Sequence, residues 1–202
     1  MTKRNKIWKE LISWVVIAAA AFLLAFLINS KAYANTRVEQ RSMEDTLYNN
    51  NRVIVDEISY QFKEPKRGEI ITFYRYEEKG SIIKDFTRMI DNFVSSIKTG
   101  DPSEEHERLI KRVIGIEGDV IDIKEGLVYR NGERLKEPYA KGKTDPKGLQ
   151  TPITVGKNQL FVLGDNRVVS IDSREIGLIH IKQVEGKAVF RIFPFNKLGK
   201  IK

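Results

Sequence analysis

Polar and apolar residues are interspersed along most of the chain, but one segment near the N-terminus is almost wholly apolar. Residues 11–28 carry no charge, and a helix of this length spans about 27 Å, close to the thickness of a bilayer core. Four basic residues precede it, namely Lys3, Arg4, Lys6 and Lys9. Because positive flanks favour the cytoplasmic side, the pattern predicts a transmembrane signal-anchor over 11–29, with 1–10 in the cytoplasm and 30–202 outside it.

An Ala-x-Ala motif beyond this segment, Ala32-Tyr33-Ala34, allows the interpretation that the segment is a cleaved signal peptide. The apolar regions of such peptides run for about 7–15 residues, and this segment is longer. A buried helix of a soluble protein fits poorly with a segment that is apolar on every face. The sequence therefore favours a retained anchor.

Beyond residue 36, short runs of β-branched and aromatic residues are separated by turn residues, which indicates many short strands. The runs cover 52–59, 69–76, 109–116, 120–123, 127–130, 159–163 and 187–193. Asn131-Gly132 predicts a hairpin turn, and 117–119 predicts another turn. We therefore expect a mainly β fold, an antiparallel sheet or barrel-like domain.

The region 80–107 breaks the strand pattern. Its apolar residues recur at helical spacing before the breaker Gly100-Asp101-Pro102, and an acidic stretch follows. This predicts one inserted amphipathic helix and an acidic loop. The helix could pack on the sheet, lie on a membrane surface or form a flap on the substrate side, and the sequence leaves these options open.

The composition excludes several classes of function. The chain of 202 residues has 35 Lys and Arg against 27 Asp and Glu, a net charge of +8, but this charge is scattered and no nucleic-acid-binding signature stands out. The absence of cysteine excludes disulfides and thiolate chemistry. His106 and His180 are isolated from each other, so we expect no metal and no cofactor.

Ser42, in the stretch QRSMEDTL, is a candidate nucleophile that needs a base other than histidine. His106 follows an acidic stretch and His180 lies among apolar residues at strand spacing, which disfavours a Ser-His-Asp triad. Lys111, in LIKRVIG, is the candidate base, because burial lowers the pKa of a lysine and a neutral amine can accept a proton. Arg112 should then point away from Lys111, toward solvent or a carboxylate. A surface lysine on an edge strand is the alternative.

A third polar stretch, GDNRVVSIDSREIG over 164–177, follows a predicted strand. Its two Asp, two Arg, two Ser and one Asn could form an ordinary surface loop. They could equally form ion pairs and hydroxyl contacts that hold a neighbouring strand and orient a catalytic amine.

These stretches, in this order and behind an N-terminal anchor, resemble type I signal peptidases, the membrane-bound serine proteases that remove signal peptides from exported proteins. RSMEDTL resembles the family's Ser-Met-x-Pro-Thr-Leu box, and residues 51–73 resemble its second box. LIKRVIGIEGD resembles the lysine box and GDNRVVSIDSR the box that ends in Asp-Ser-Arg. The resemblance covers nearly the whole chain, is similar to the short Gram-positive form and implies a mostly antiparallel β fold.

The resemblance implies roles for individual residues. Ser42 would be the nucleophile, with its backbone N–H in the oxyanion hole, and Lys111 the general base. Ser170 would hydrogen-bond and orient the lysine amine, while Asp172 and Arg174 would form a supporting ion pair. Five residues match positions that line shallow pockets for the small substrate residues at −1 and −3, namely Val38, Met43, Leu47, Leu109 and Ile110.

The implied activity is removal of signal peptides after Ala-x-Ala-like sites at the extracytoplasmic face of the plasma membrane. The implied partners are secretory preproteins, the lipid bilayer and, as a further candidate, the secretion translocase. Two alternatives stay open: a catalytically weakened, membrane-anchored relative that acts as a binding or regulatory module, and a different Ser-Lys protease such as a self-cleaving repressor. The chain departs from the family pattern at Gln40, at Asp45 in place of proline, and at Val168-Val169 in place of a polar pair.

Overall fold

The structure, a computed structural model, describes residues 10, 12–18, 21, 33–38, 41–75 and 108–201. Residues 12–18 are helical. Within the described ranges, no helix is both long and apolar enough to cross a membrane. The predicted anchor over 11–29 lies largely outside the described residues, and the predicted helix and acidic loop over 80–107 lie wholly outside them. Both stay predictions.

Twelve strands form the framework of the described residues. They are β1 (Tyr33–Arg37), β2 (Arg52–Asp56), β3 (Ile70–Tyr74), β4 (Arg108–Gly115), β5 (Val120–Lys124), β6 (Leu127–Arg130), β7 (Glu133–Arg134), β8 (Ile153–Thr154), β9 (Gln159–Leu163), β10 (Ile179–His180), β11 (Val184–Phe193) and β12 (Gly199–Lys200). Two short helices, Ser59–Phe62 and Ser173–Ile176, and two 3-10 turns, Ile181–Gln183 and Phe195–Lys197, lie between them. The expected mainly β fold is confirmed.

The strands pair antiparallel in two sheets. The larger sheet has the order β1-β2-β11-β3-β4-β9-β10, with β12 paired to β11, and the smaller sheet has the order β7-β6-β5-β8. Within the larger sheet, β4 lies between β3 and β9, with Lys111 opposite Ile71 and Arg112 opposite Leu163. The strand that carries the lysine box is therefore an interior strand.

The core on both faces of β4 explains its nearly continuous apolar run. Leu109 and Val113 pack in one apolar cluster, Ile110 in a second and Ile114 in a third. Every residue of β4 after Arg108 is buried. When both faces of a strand are buried, apolar residues follow one another along its sequence instead of alternating with polar residues.

The predicted runs overlap β2 to β6, β9 and β11, and Asn131-Gly132 joins β6 to β7. Both turn residues have positive φ, 53° and 82°, as a two-residue hairpin turn requires. The run 52–59 was too long, because β2 ends at Asp56. The carboxylate of Asp56 accepts hydrogen bonds from the backbone N–H and the hydroxyl of Ser59, at 3.0 and 2.6 Å, where a helix begins.

Candidate active site

Ser42 begins a turn, residues 42–47, that two buried side chains anchor to the core; we call it the Ser42 turn. The backbone N–H of Leu47 donates to the carbonyl of Met43 at 2.7 Å. Met43 and Leu47 are fully buried and pack in the same cluster as Ile110 of β4. Ser42 itself is 3% exposed. The apolar residues of SMEDTL therefore fix the turn against the strand that carries the lysine.

The side chain of Lys111 reaches Ser42 from β4. Its Nζ lies 2.9 Å from Oγ of Ser42 and 3.0 Å from the carbonyl oxygen of Ile110. Lys111 is 0% exposed. The alternative of a surface lysine on an edge strand is thus wrong, because β4 is an interior strand. The structure brings together the two residues that sequence reasoning paired.

Arg112 points away from Lys111 and toward a carboxylate, as predicted. Its Nε and Nη2 donate to the two carboxylate oxygens of Asp165, both at 2.8 Å, and this ion pair is buried. The hydroxyl of Thr46 also donates to Asp165, and the guanidinium lies 4.0 Å from the ring centre of Tyr139. Through Thr46, this pair connects β4 to the Ser42 turn.

The loop that follows β9 approaches Ser42 from another side. The backbone N–H of Asn166 donates to the carbonyl of Ser42 at 2.9 Å. A Cβ atom added at Gly164 would lie 2.5 Å from that same carbonyl oxygen and closer still to Oγ of Ser170. Only glycine therefore allows the loop to approach this closely.

Asp172 and Arg174 form the expected ion pair, with both side chains fully buried. The guanidinium donates through Nε and Nη2 to the two carboxylate oxygens, each at 2.8 Å. Asp172 also accepts from the N–H of Gly164 at 3.0 Å, and Arg174 donates to the carbonyl of Arg167 at 2.8 Å. The pair ties the two ends of the 164–174 loop together, and its supporting role in catalysis stays a prediction.

Asp172 should make stability depend on pH. Burial raises the pKa of its carboxyl group, but the hydrogen bonds and charge of Arg174 outweigh burial and hold the pKa below its ordinary value. Stability from such a group is present above its unfolded pKa, about 3.9, and is lost as pH falls through its folded pKa. We expect the free energy of unfolding in urea to fall less steeply below about pH 5 in Asp172→Asn than in wild type. Parallel pH profiles would contradict this.

Ser170 is fully buried in the same loop. Its hydroxyl has no partner within the described part of the chain that meets hydrogen-bond geometry, although it lies close enough to Asp172 to help lower the pKa of that carboxyl group. The expected bond between Ser170 and the Lys111 amine is not formed in this structure, and the orienting role of Ser170 stays a prediction.

The five residues expected to line the substrate pockets divide between two clusters. Val38, Met43, Leu47 and Ile110 share one cluster, whereas Leu109 lies in the other. None of the five is more than 8% exposed. Because neighbouring residues of a strand point to opposite faces, Leu109 is on the Lys111 face of β4 and Ile110 on the Arg112 face. Their role in substrate binding stays a prediction.

Sequence reasoning missed the pairs that fix the 164–174 loop from outside. Arg167, buried, donates to the two carboxylate oxygens of Glu137 at 2.7 and 3.0 Å and to the carbonyl of Gly164 at 3.1 Å. Asp165 was not singled out either. The high content of Arg and Asp in 164–174 indicated ion pairs. It could not indicate their partners outside the loop, because these lie far away in the sequence and leave no local pattern.

Two of the departures from the family pattern are exposed in the structure. Asp45 lies 3.2 Å from Nζ of Lys141 and accepts from the hydroxyl of Tyr48 at 3.3 Å. Val168 and Val169 are 67% and 50% exposed. Gln40 lies outside the described residues. Asp45 thus links the Ser42 turn to residue 141 through charge.

His180 bonds to the 3-10 turn that follows it. Its Nδ1 accepts from the backbone N–H of Lys182 at 3.2 Å, and Gln183 accepts from the backbone N–H of His180 at 2.7 Å. His106 lies outside the described residues. Among the residues that are described, no group of three or more His, Asp or Glu side chains is placed to hold a metal ion.

Comparison with known proteins assigns the chain to a family. Residues 11–193 match the family described as "Signal peptidase, peptidase S26". The signal peptidase I of Bacillus amyloliquefaciens is 31% identical over 200 residues, covering 95% of this chain and 92% of the relative. The signal peptidase IB of Staphylococcus aureus is 28% identical over 205 residues, covering 94% and 93%.

A solved structure of a signal peptidase I from Enterococcus faecalis V583 is 27% identical, with a TM-score of 0.42, and the match covers 62% of this chain and 97% of that one. The assignment rests on the sequence matches, which extend over nearly the whole chain and include all the boxes described above. The chain therefore belongs to the signal peptidase family, peptidase S26, as a serine endopeptidase of the signal peptidase I kind.

Proposed function

We propose that this peptidase removes signal peptides from exported preproteins with Ser42 as nucleophile and Lys111 as general base, at the extracytoplasmic face of the plasma membrane. One observation carries the proposal: a fully buried lysine amine lies 2.9 Å from a buried serine hydroxyl. A serine needs a base within this reach to lose its proton.

The surroundings of Lys111 favour a neutral amine that accepts a proton. Full burial penalises an ammonium relative to an amine. The carbonyl oxygen of Ile110, 3.0 Å from Nζ, can only accept, so it takes an N–H of the amine. A neutral amine then has its lone pair for the proton of Ser42.

The reaction follows from these positions. Oγ of Ser42 attacks the scissile carbonyl carbon while its proton passes to Nζ of Lys111, and Lys111 then donates this proton to the leaving amine. The acyl-enzyme formed on Ser42 is hydrolysed by water, with Lys111 again accepting and returning a proton. The backbone N–H of Ser42 is our candidate donor to the oxyanion, and such donors contribute about 2.7–4 kcal/mol each.

The supporting residues keep the Ser42 hydroxyl and the Lys111 amine in position. Ser170 orients the amine during turnover, and the Asp172–Arg174 pair holds the loop that contains it. Val38, Met43, Leu47, Leu109 and Ile110 form the floor of the subsites, which we propose to accept small residues such as alanine at −1 and −3. The reaction uses no cofactor.

The N-terminal segment brings the site to its substrates. With residues 11–29 as a membrane anchor, Ser42 lies about 14 residues beyond the end of the apolar run. Even a fully extended link of this length keeps Ser42 within about 46 Å of the bilayer. Cleavage sites of preproteins emerge at that surface. The bilayer is then a permanent partner, and the secretion translocase is a candidate partner.

The test is cleavage of a purified preprotein with an Ala-x-Ala site by the full chain in detergent micelles or liposomes. We expect one product whose new N-terminus follows the second alanine, and no product with Ser42→Ala. Leucine at −1 of the substrate should lower kcat/KM by at least about tenfold, because a shallow pocket has no room for it.

Three results would count against the proposal. Cleavage by Ser42→Ala would exclude this nucleophile, and equal cleavage of the leucine substrate would exclude the small-residue pocket. No cleavage by the wild type would favour the second candidate, a weakened relative that only binds. The intact contact between Ser42 and Lys111 favours the active enzyme over that candidate.

A further inference from the structure

We propose that Arg191 is a positioning residue for the nucleophile, through which the C-terminal segment, residues 194–201, holds the Ser42 turn in place. The inference rests on the proposed function, in which Ser42 attacks the substrate. Arg191 lies near the end of β11, opposite Val53 of β2 on one side and Gly199 of β12 on the other.

The guanidinium of Arg191 connects three segments of the chain. Its Nη1 donates to the carbonyl of Thr46 at 2.9 Å and to Oδ1 of Asn51 at 3.3 Å. Its Nε donates to the carbonyl of Lys197 at 2.7 Å. One side chain therefore joins the Ser42 turn, the residue that precedes β2 and the C-terminal segment.

The contact at Thr46 falls where the Ser42 turn needs a donor. The carbonyls at the end of a helical turn have no partner within it, and a charged donor satisfies such a group well. The hydroxyl of the same residue donates to Asp165, the partner of Arg112 in β4. Thr46 is thus fixed from the lysine strand by its side chain and from β11 by its carbonyl.

The C-terminal segment makes two further contacts with the same region. The ammonium of Lys197 lies 4.3 Å from the ring centre of Tyr48, a cation–π contact. Ile201 packs against the apolar cluster that contains Met43 and Leu47. The segment therefore supports the Ser42 turn and its flank by a cation–π contact and by apolar packing. Arg191 of β11 bonds both to the backbone of this segment and to the backbone of the turn.

Loss of Arg191 should affect the chemical step more than substrate binding. A nucleophile displaced by about 1 Å can lose about a hundredfold in rate. In the preprotein assay with the full chain, we expect Arg191→Gln to lower kcat by about 10- to 100-fold with KM within about twofold of wild type. Arg191→Lys should retain more activity, because an ammonium can bond to one of the carbonyls but not to both in the same fork.

A matched variant separates positioning from stability. Arg130 of β6 in the smaller sheet donates through Nη1 to the carbonyl of Ile114 near the end of β4, at 2.9 Å. This arginine-to-backbone bond matches the kind that Arg191 makes but does not involve the Ser42 turn. Arg130→Gln should leave kcat within about twofold of wild type even where its melting temperature falls as far as that of Arg191→Gln.

Chemical rescue gives a readout that a purely structural role would not move. Guanidinium ions at low, non-denaturing concentration should raise kcat of Arg191→Ala and leave kcat of wild type and of Arg130→Gln unchanged.

Two results would overturn the proposal. The first is a kcat of Arg191→Gln equal to that of wild type. The second is a loss of kcat that follows the loss of melting temperature in the same way in Arg191→Gln and in Arg130→Gln. If Arg191→Ala does not fold, the ratio of kcat between Arg191→Lys and Arg191→Gln decides, and equal values overturn it. Activity of Ser42→Ala in the same assay would instead overturn the proposed function.

Discussion

Replacing Lys111 with methionine is expected to lower kcat/KM for preprotein cleavage by at least about 10³-fold and to leave the protein folded. Methionine fills nearly the same volume as the lysine stem but has no amine to accept the proton of Ser42. The side chain is fully buried, so methionine removes the cost of burying a polar amine, but it also removes the hydrogen-bond partner of Oγ of Ser42 and of the Ile110 carbonyl. These two effects oppose each other, and we expect the urea unfolding midpoint to stay close to that of wild type.

The control for this variant is Lys157→Met, which changes an exposed lysine in the turn between β8 and β9. It should cleave at the wild-type rate. Robust processing by Lys111→Met would exclude the lysine as the base. In the wild type, kcat/KM should rise with pH as the fraction of neutral amine grows, and a flat profile over about pH 5 to 9 would contradict the same mechanism.

Gly164→Ala is expected to lower kcat by at least about a hundredfold, although it adds a single methyl group. The new Cβ would lie 2.5 Å from the carbonyl oxygen of Ser42 and closer to the hydroxyl of Ser170. Neither neighbour can move alone, because Asn166 bonds to that same carbonyl and the side chain of Ser170 is fully buried. The methyl group must therefore push the loop away from the Ser42 turn.

A second glycine shows whether the effect is specific to the site. A Cβ at Gly156 would also meet a close neighbour, but that neighbour is the far end of the flexible Gln159 side chain, which can rotate away. Gly156→Ala should keep kcat within about twofold of wild type. Wild-type activity in Gly164→Ala would mean that the close approach of the loop to Ser42 is unimportant for catalysis.

Buried ion pairs explain why the 164–174 loop can hold such a narrow geometry. Three arginine–carboxylate pairs bond to it, namely Arg112–Asp165, Arg167–Glu137 and Arg174–Asp172. In each pair, two guanidinium nitrogens bond to the two carboxylate oxygens, which fixes direction as well as distance. Removing one partner would strand a buried charge, at a cost of about 3–5 kcal/mol. The loop is therefore held in one arrangement beside Ser42.

The amino-acid sequence by itself determined the local elements, and it indicated a hypothesis for the reacting groups. Strand runs such as 127–130 and 159–163 follow from β-branched residues between turn residues, and the hairpin follows from Asn131-Gly132, because these preferences act over a few neighbouring residues. The shortage of histidine, set beside a lysine in an apolar run, was sufficient to pair Ser42 with Lys111 as a hypothesis.

Only the tertiary structure decided which residues surround that pair. The run LIKRVIG is compatible with an interior strand and with an edge strand. Lys111 is buried because β4 lies between β3 and β9 in the sheet. Arg191 and Thr46 are 145 residues apart, and they meet because β11 lies between β2 and β3. Sequence patterns record which face of a strand is apolar. They do not record strand order, and contacts between distant residues depend on that order.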